Sequence, residues 1–263
     1  LDFFRQTSVW AFLTGTRWSP LIRPVEYGVL PLVSGTLTFT LLTALISLPL
    51  GLAAAIYLSE YAGKRIRGLI KPALEILSGI PTVVYGYFAL VYITPALRSV
   101  FPSISTFNVL SAAIVVGIMI IPTIASISED AMHAVPNTLR YASYGLGVTK
   151  FQVTTTVVIP SALSGIVSSF ILGISRAIGE TMAVTIAAGN LSRMVNWLKP
   201  AEAFLKPIQT MTAAMVEIGI SDVSGDTVAY RSLFAVGLIL FLMTMALNLV
   251  SQQVKRRYRE QYE

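Results

Sequence analysis

The sequence contains no cysteine and only one histidine, His133. The absence of cysteine excludes disulfides, thiolate nucleophiles and cysteine metal sites. We find no nucleophile–histidine–carboxylate set and no cluster of metal ligands in the sequence, which argues against an enzyme. The motif G-x-x-x-x-G-K-[ST] is also absent, so the chain lacks this phosphate-binding loop for ATP. The basic residues form no stripe interleaved with aromatic residues, and nucleic acid is therefore not an expected partner.

Charged residues are scarce as well, at 12% of the 263 residues, whereas 54% are hydrophobic. Soluble domains average about 25% charged residues. With a mean hydropathy of +0.72, the chain is predicted to be an all-α membrane protein surrounded by lipid. Five runs without Lys, Arg, Asp or Glu each exceed the roughly 20 residues that a membrane-spanning helix needs. They predict helices near 31–58, 73–96, 107–128, 157–188 and 229–252.

Basic residues predict the orientation of these helices, because Lys and Arg collect on the cytoplasmic side. The basic stretches at 60–72 and at the C-terminal end are therefore expected to be cytoplasmic. An odd number of spans with an outside N-terminus predicts a further helix ahead of Leu1. The predicted arrangement has a periplasmic N-terminal segment at 1–28, a transmembrane domain at 29–255 and a cytoplasmic tail at 256–263. The transmembrane domain includes a cytoplasmic loop at 129–156 and a periplasmic segment at 189–228.

Two segments outside the spans carry aromatic residues that suit a membrane interface. Trp10 and Trp18 are expected to act as interfacial anchors, and the stretch from Phe204 to Ile220 looks amphipathic. Such a stretch is expected to lie along the interface or to cap the helix bundle. Both segments are equally compatible with docking of a partner.

Arg176 and Glu180 interrupt the fourth apolar run. A charge in the hydrocarbon core costs about 2.5–3.5 kcal/mol, and intramembrane ionisable residues mark ion and substrate paths. Their i, i+4 spacing predicts that both lie on one helix face and neutralise each other. The arginine fork also matches an oxyanion such as phosphate. We therefore expect the pair to line a substrate path, although an ion pair that only fixes helix packing is the alternative.

Gly79 and Pro81 lie inside the second apolar run. Transporters place broken helices next to their substrate paths, and a glycine and a proline favour such a break. A simple proline kink that serves packing is the alternative.

The cytoplasmic loop contains a predicted compact knob between Pro136 and Lys150. Pro136 ends one helix, and Asn137 is expected to cap a short new one. Gly145 and Gly147 are expected to end this helix, because glycine accepts the left-handed conformation.

This loop resembles the EAA loop of ABC importer permeases, whose pattern is E-A-A-x-x-x-G followed after nine residues by I-x-L-P. Gly147 matches the glycine, and Val157-Val158-Ile159-Pro160 matches the closing element at the right spacing. Tyr141 replaces the glutamate of the pattern. In that family the loop forms the short helix that docks on the ATPase subunit. The resemblance therefore implies ATPase coupling for Arg140, Tyr141, Ala142, Ser143, Gly145, Gly147 and Lys150.

Three further stretches are similar to permeases of phosphate-specific ABC importers. Residues 79–86 read G-I-P-T-V-V-Y-G, residues 128–131 read S-E-D-A and precede A-V-P, and residues 176–190 read R-A-I-G-E-T-M-A-V with A-G-N at the end. The T-M-A-V ending favours the C-type subunit over its A-type partner. The resemblance covers the chain from about residue 10 onward, and it implies a type I importer bundle of six spans.

The resemblance implies a role in ATP-driven import of phosphate across the bacterial inner (plasma) membrane. The implied partners are an A-type permease, two cytoplasmic ATPase subunits and a periplasmic phosphate-binding protein. The chain itself is expected to bind no cofactor, because the ATPase subunits hydrolyse ATP with Mg.

Other assignments remain open at this point. Within the same class, the chain is alternatively the A-type partner or a permease for another oxyanion. A secondary carrier driven by an ion gradient is a third alternative, and it predicts two related sequence halves. No internal repeat is recognisable, and such a carrier leaves the EAA-like loop unexplained.

Overall fold

Helices account for most of the computed structural model, which describes residues 2–257. A two-stranded antiparallel ribbon, β1 (Trp18–Ser19) and β2 (Glu26–Tyr27), is the only departure from an all-α fold among those residues. In chain order the helices are α1 (Phe3–Gln6), α2 (Val9–Thr14), α3 (Leu30–Ile56), α4 (Lys64–Gly79), α5 (Thr82–Phe88), α6 (Thr94–Arg98), α7 (Val109–His133), α8 (Asn137–Gly145), α9 (Lys150–Val153), α10 (Ile159–Ser161), α11 (Leu163–Gly179), α12 (Met182–Ala188), α13 (Pro200–Leu205), α14 (Met211–Ile220) and α15 (Val228–Arg257). Short π-helical segments at Tyr57–Tyr61, Ala89–Ile93 and Thr154–Val158 continue α3, α5 and α9.

Three helices are individually long and apolar enough to cross a membrane, and the number rises to five if each of two bent helix pairs forms one span. The three long helices cover Leu30–Tyr61, Val109–His133 and Val228–Val250. They confirm the first, third and fifth predicted spans. The basic tail predicted at 256–263 lies outside the described residues from position 258 onward.

The second predicted span is broken. Helix α4 already begins at Lys64, within the basic stretch and ahead of residue 73, where the span was predicted to begin. Ile80 and Pro81 are not helical, and α5 begins at Thr82. Pro81 explains the break, because proline lacks a backbone N–H and disfavours the helical conformation in the residue before it.

The fourth predicted span, 157–188, is divided further. Its N-terminal part bends by 70° where the Lys150–Ser161 helix meets Leu163–Gly179. Helix α11 then ends at Gly179, and α12 begins only at Met182. The prediction of one continuous helix is therefore wrong, and Glu180 lies in the second break.

The chain is divided into two compact units. The first contains the described residues up to 43, together with 81–116 and 177–245. Its core packs aromatic side chains of the N-terminal segment with apolar residues of α14 and α15, including Phe3, Phe12, Trp18, Met211, Ile218 and Val236. Trp18 is only 4% exposed, so the prediction that it anchors the chain at a membrane interface is wrong.

The segment after α12 also belongs to the first unit. Its helix α14 is packed into this unit, where Met211, Ala213, Ala214 and Ile218 are all buried. The hydroxyl of Thr210 accepts a hydrogen bond from Ala213 N over 3.2 Å and caps this helix. The prediction that this stretch lies along the membrane interface is therefore wrong, and the alternative that it caps the helix bundle stays a prediction.

The second unit contains 44–80, 117–176 and the described residues from 246 onward. Its core joins the ends of α3 and α7 to the segment that precedes α11. The buried members are Ala55, Met132, Val135, Val153, Val158, Ala162 and Ile166. The predicted cytoplasmic knob lies in this unit.

Candidate functional site

Arg176 lies in the last turn of α11, in the second unit. Its Nη1 donates a hydrogen bond to Thr123 Oγ1 over 3.0 Å. Thr123 belongs to α7, one position after the in-helix Pro122. Proline cannot donate a backbone hydrogen bond, and it commonly marks a bend in a membrane helix. The guanidinium is therefore held against α7 at a proline-modified turn.

Thr123 also lines a cavity of about 240 Å³ within the second unit. Hydroxyl groups and charges of both signs surround this cavity. Its polar lining comprises Lys71, Glu75, Ser78, Thr123, Ser126 and Glu129. Lysine and hydroxyl groups donate hydrogen bonds to oxyanions, whereas the two carboxylates repel them. With one lysine and two carboxylates, the charged lining has no net positive charge that would retain an anion.

Glu129 forms an ion cluster that the sequence analysis did not identify. Its carboxyl group is 1% exposed and pairs with Arg67, and its Oε2 lies 3.1 Å from Lys71 Nζ. The same Nζ lies 3.3 Å from Asp130 Oδ1. Arg67 and Lys71 are four positions apart on α4, so one helix face presents both cations to the carboxyl group. The sequence signal for this cluster is the S-E-D-A stretch, which contributes to the family resemblance but does not by itself predict an ion pair.

The preceding serine of that stretch ties α7 to a different helix. Ser128 Oγ and Ser169 Oγ share a hydrogen bond of 2.7 Å, and both side chains are fully buried. Adjacent residues of the S-E-D-A stretch therefore attach α7 to α11 and to α4. The stretch therefore connects three helices of the second unit through side-chain contacts.

Glu180 does not share a helix face with Arg176, so that prediction is wrong. Glu180 follows the end of α11 and belongs to the first unit, where its side chain is 8% exposed. Its Oε1 accepts a hydrogen bond from Ala183 N over 3.3 Å, at the start of α12. Its carbonyl oxygen accepts one from Thr212 Oγ1 over 2.9 Å. A carboxylate at a helix N-terminus is stabilised by the unpaired backbone N–H groups there. This hydrogen bond satisfies one backbone N–H at the start of α12 and stabilises the helix break.

Gly86 lies where two of the stretches that are similar to phosphate permeases, residues 79–86 and 176–190, pack together. A Cβ atom at this position would be 2.9 Å from Ile186 Cβ and 3.1 Å from Ala183 Cα. Helices α5 and α12 therefore approach each other closely only because residue 86 is glycine. In contrast, a Cβ atom at Gly79 would meet no atom within 4 Å.

The knob, residues 136–150, has the predicted order of a short helix, a glycine turn and a second helix start. Gly147 adopts the left-handed conformation with φ of 80°, whereas Gly145 is the last residue of α8. The N-cap position is occupied by Pro136, so the prediction that Asn137 caps the helix is wrong. Thr149 and Gln152 form a capping box that starts α9. Two reciprocal hydrogen bonds of this kind set where the chain resumes a helix.

The knob presents an apolar and aromatic surface. Tyr141 is 69% exposed, Leu146 85% and Phe151 68%. Ala142, Gly145 and Gly147 are exposed beside them, while Ser143 is half-buried and donates a hydrogen bond to Leu139 O. Large exposed apolar side chains close together are typical of a protein interaction site. Phe151 was not among the residues that the sequence analysis assigned to coupling.

Arg140 points inward. Its side chain is 12% exposed and its Nη2 lies 3.0 Å from Glu60 Oε1. Lys150, at the other end of the knob, places its Nζ 5.0 Å from the ring centre of Tyr61. The structure therefore brings these two coupling candidates against the end of α3.

Comparisons with known proteins agree with this architecture. The model of the family described as binding-protein-dependent transport system inner membrane component matches residues 47–260. The probable ABC transporter permease protein YqgH of Bacillus subtilis is 35% identical over 94% of this chain and 77% of its own length. The phosphate transport system permease protein PstC of Mesorhizobium japonicum is 33% identical, over 94% and 78%.

The solved structure of the MetNI methionine ABC transporter in inward-facing form has the same fold. Its TM-score is 0.63 at 18% identity, with 89% of this chain and 95% of that chain covered. The fold is that of a type I ABC importer permease, and its long apolar helices make the protein a multi-pass membrane protein. The family match covers most of the sequence, and the chain belongs to the binding-protein-dependent transport system inner membrane components.

Proposed function

We propose that this chain is the C-type permease subunit of an ATP-driven importer of inorganic phosphate. The observation that carries the proposal is the knob, which exposes Tyr141 and Leu146 next to the exposed Phe151, while its two cations face the end of α3. An apolar surface on a firmly attached helix suits docking of a separate motor subunit. The name of the Mesorhizobium relative supports phosphate as the substrate.

Two cytoplasmic ATPase subunits supply the energy in this proposal. They bind and hydrolyse ATP with Mg, and this chain contributes no nucleotide site. Closure of the ATPase pair moves the knob, and the knob moves the helices of the second unit. An A-type permease completes the pathway, and a periplasmic phosphate-binding protein delivers the substrate. The C-terminus is cytoplasmic, on the same side as the knob.

Arg176 is the proposed cation of the substrate path. Phosphate carries roughly one to two negative charges near neutral pH, and moving it through a low-dielectric bundle is costly without a fixed positive charge. The hydrogen bond to Thr123 holds the guanidinium in one orientation, beside the hydroxyl-lined cavity. Glu180 sets the geometry of the adjoining helix break, and its charge keeps phosphate from remaining there. Gly79 and Pro81 supply the second helix break near the path.

The test is uptake of labelled phosphate by vesicles that contain the full complex. Wild-type and Arg176→Gln chains are compared, and each preparation is checked for co-purification of the other subunits. We expect ATP-dependent uptake that arsenate competes and molybdate does not. The Arg176→Gln complex should assemble and transport nothing, because glutamine keeps a polar side chain but is shorter and carries no charge.

Three results would contradict the proposal. Uptake that needs no ATP would point to a carrier driven by an ion gradient. Uptake competed by molybdate or sulfate would assign another oxyanion. Normal uptake by the assembled Arg176→Gln complex would remove Arg176 from the substrate path.

A further inference from the structure

Arg140 binds four oxygen atoms on three different parts of the second unit. Its Nη2 donates to Glu60 Oε1 over 3.0 Å and to the carbonyl oxygen of Met132 over 2.8 Å. Its Nη1 donates to the carbonyl oxygen of Val135 and to Asn137 Oδ1. One guanidinium thus joins the end of α3, the end of α7 and the start of the knob. A planar group with five fixed donors is suited to such a junction, and a lysine ammonium is not.

The carboxylate of Glu60 is held in place for this contact by burial and by a second hydrogen bond. Its side chain is 6% exposed, and Ser59 Oγ donates to the same Oε1 over 3.0 Å. It lies in the π-helical segment Tyr57–Tyr61 that continues α3. The same segment carries Tyr61, under the ammonium of Lys150. Both ends of the knob are therefore attached to one turn of α3.

Apolar packing holds the knob only in part. Helix α8 has no fully buried residue. Leu139 and Val148 are half-buried against the core of the second unit, whereas the rest of the knob is largely exposed. The nearly buried pair Arg140–Glu60 is thus the main polar connection from the knob to α3. Removing one partner of a buried pair is damaging, because it leaves the other charge uncompensated.

We infer that the Arg140–Glu60 ion pair is the joint through which movement of the knob reaches α3. The inference rests on the proposed function, since it assumes that an ATPase moves the knob. It assigns a positioning role to Glu60, eighty positions away in sequence, and it reassigns Arg140 from the docking surface to the transmission of movement. Tyr141, which occupies the position of the family's glutamate, is exposed, and the carboxylate of this joint is that of Glu60 in the π-helical segment that continues α3.

A double-mutant cycle in the full complex tests the joint. Glu60→Gln, Arg140→Gln and the double variant are reconstituted in vesicles, and phosphate imported per ATP hydrolysed is measured. Co-purification of the ATPase subunits is measured in parallel. We expect each single variant to retain the ATPases and to lose at least about tenfold in phosphate per ATP. The double variant should be no worse than the poorer single variant, because both changes break one connection.

Glu26→Gln is the matched control. Glu26 forms an exposed pair with Arg17 at 3.6 Å in the first unit, and its loss should leave the ratio unchanged. Three outcomes would overturn the inference: an unchanged ratio in Glu60→Gln, loss of the ATPases from that variant, or losses that multiply in the double variant. If the wild-type complex transports molybdate or sulfate instead of phosphate, the proposed function fails. The same ratio measured with that anion still tests the joint.

Discussion

Arg176 donates a hydrogen bond to Thr123 across 3.0 Å, so the guanidinium of α11 is fixed to α7. The sequence had indicated Glu180 as its partner, one helical turn further on. Thr123 supplies no charge, and it holds the guanidinium without neutralising it. A guanidinium that is held in one orientation by a neutral partner is better suited to bind an anion than one paired with a carboxylate.

Replacing Thr123 by valine should therefore impair phosphate transport, even though Arg176 itself is unchanged. Valine has nearly the same shape but cannot accept the hydrogen bond, and bonds to charged groups contribute about 1.5–3 kcal/mol. We expect phosphate uptake to fall roughly tenfold or more, because 1.4 kcal/mol corresponds to a factor of ten. Thr123→Ser keeps the hydroxyl and should retain most of the uptake. Equal uptake by both variants would show that this hydrogen bond does not matter for transport.

Glu129→Gln should destabilise the second unit. The carboxyl group is almost fully buried and pairs with Arg67 and Lys71, which are 30% and 35% exposed. Breaking a fully buried pair costs about 3–5 kcal/mol, and partial hydration of the two cations reduces this here to about 2 kcal/mol. The apparent Tm of the purified complex, followed by far-ultraviolet circular dichroism, should decrease.

Asp130→Asn serves as the control for this change. Asp130 is 64% exposed and contacts the same lysine at 3.3 Å. Exposed ion pairs contribute about 0–1 kcal/mol, so the Tm should remain close to that of the wild type. A larger loss from Asp130→Asn than from Glu129→Gln would contradict the assignment of Glu129 as the centre of the cluster.

Long apolar runs were enough to predict the helices at Leu30–Tyr61, Val109–His133 and Val228–Val250. The breaks could not be located in the same way. Proline in a membrane helix often produces only a kink, so Pro81 alone did not determine that α4 ends before it. Hydropathy also does not reveal that Glu180 caps α12 with its own carboxylate, because this contact depends on local backbone geometry.

The direction of side chains in the knob could not be predicted for a different reason. The glycine spacing predicted its backbone, including the left-handed Gly147. The resemblance assigns Arg140 to ATPase coupling together with its neighbours, yet its partner Glu60 lies eighty positions away. Only the fold brings these two residues together, and no local pattern records their pairing. Phe151 was missed because it lies one position beyond Lys150, the last residue of the predicted knob.

Gly86→Ala should destabilise the first unit because an added methyl group would overlap α12. Its Cβ would lie 2.9 Å from Ile186 Cβ and 3.1 Å from Ala183 Cα. Overpacking of this kind typically costs about 1–3 kcal/mol. We expect a lower apparent Tm and reduced yield of the assembled complex. Gly79→Ala is the matched control, since a Cβ there meets no atom within 4 Å and alanine favours helix. A Tm loss of equal size in both variants would exclude the close α5–α12 approach as the cause.

Gly147→Ala should weaken coupling between ATP hydrolysis and uptake. Gly147 has φ of 80°, and an L-residue with a side chain pays roughly 1–2 kcal/mol in the left-handed conformation. No atom lies within 4 Å of its added Cβ, so the cost comes from the backbone alone. The strained turn should displace Leu146 and the start of α9 relative to α8, which changes the surface offered to the ATPase.

Gly145→Ala is the control, because it has the same free space around its Cβ and lies within α8. It should leave phosphate imported per ATP close to the wild-type value, whereas Gly147→Ala should lower it several-fold. If both variants couple normally, the left-handed turn is not needed to orient the knob. If both fail equally, the effect belongs to the added methyl group at the ATPase surface rather than to the backbone.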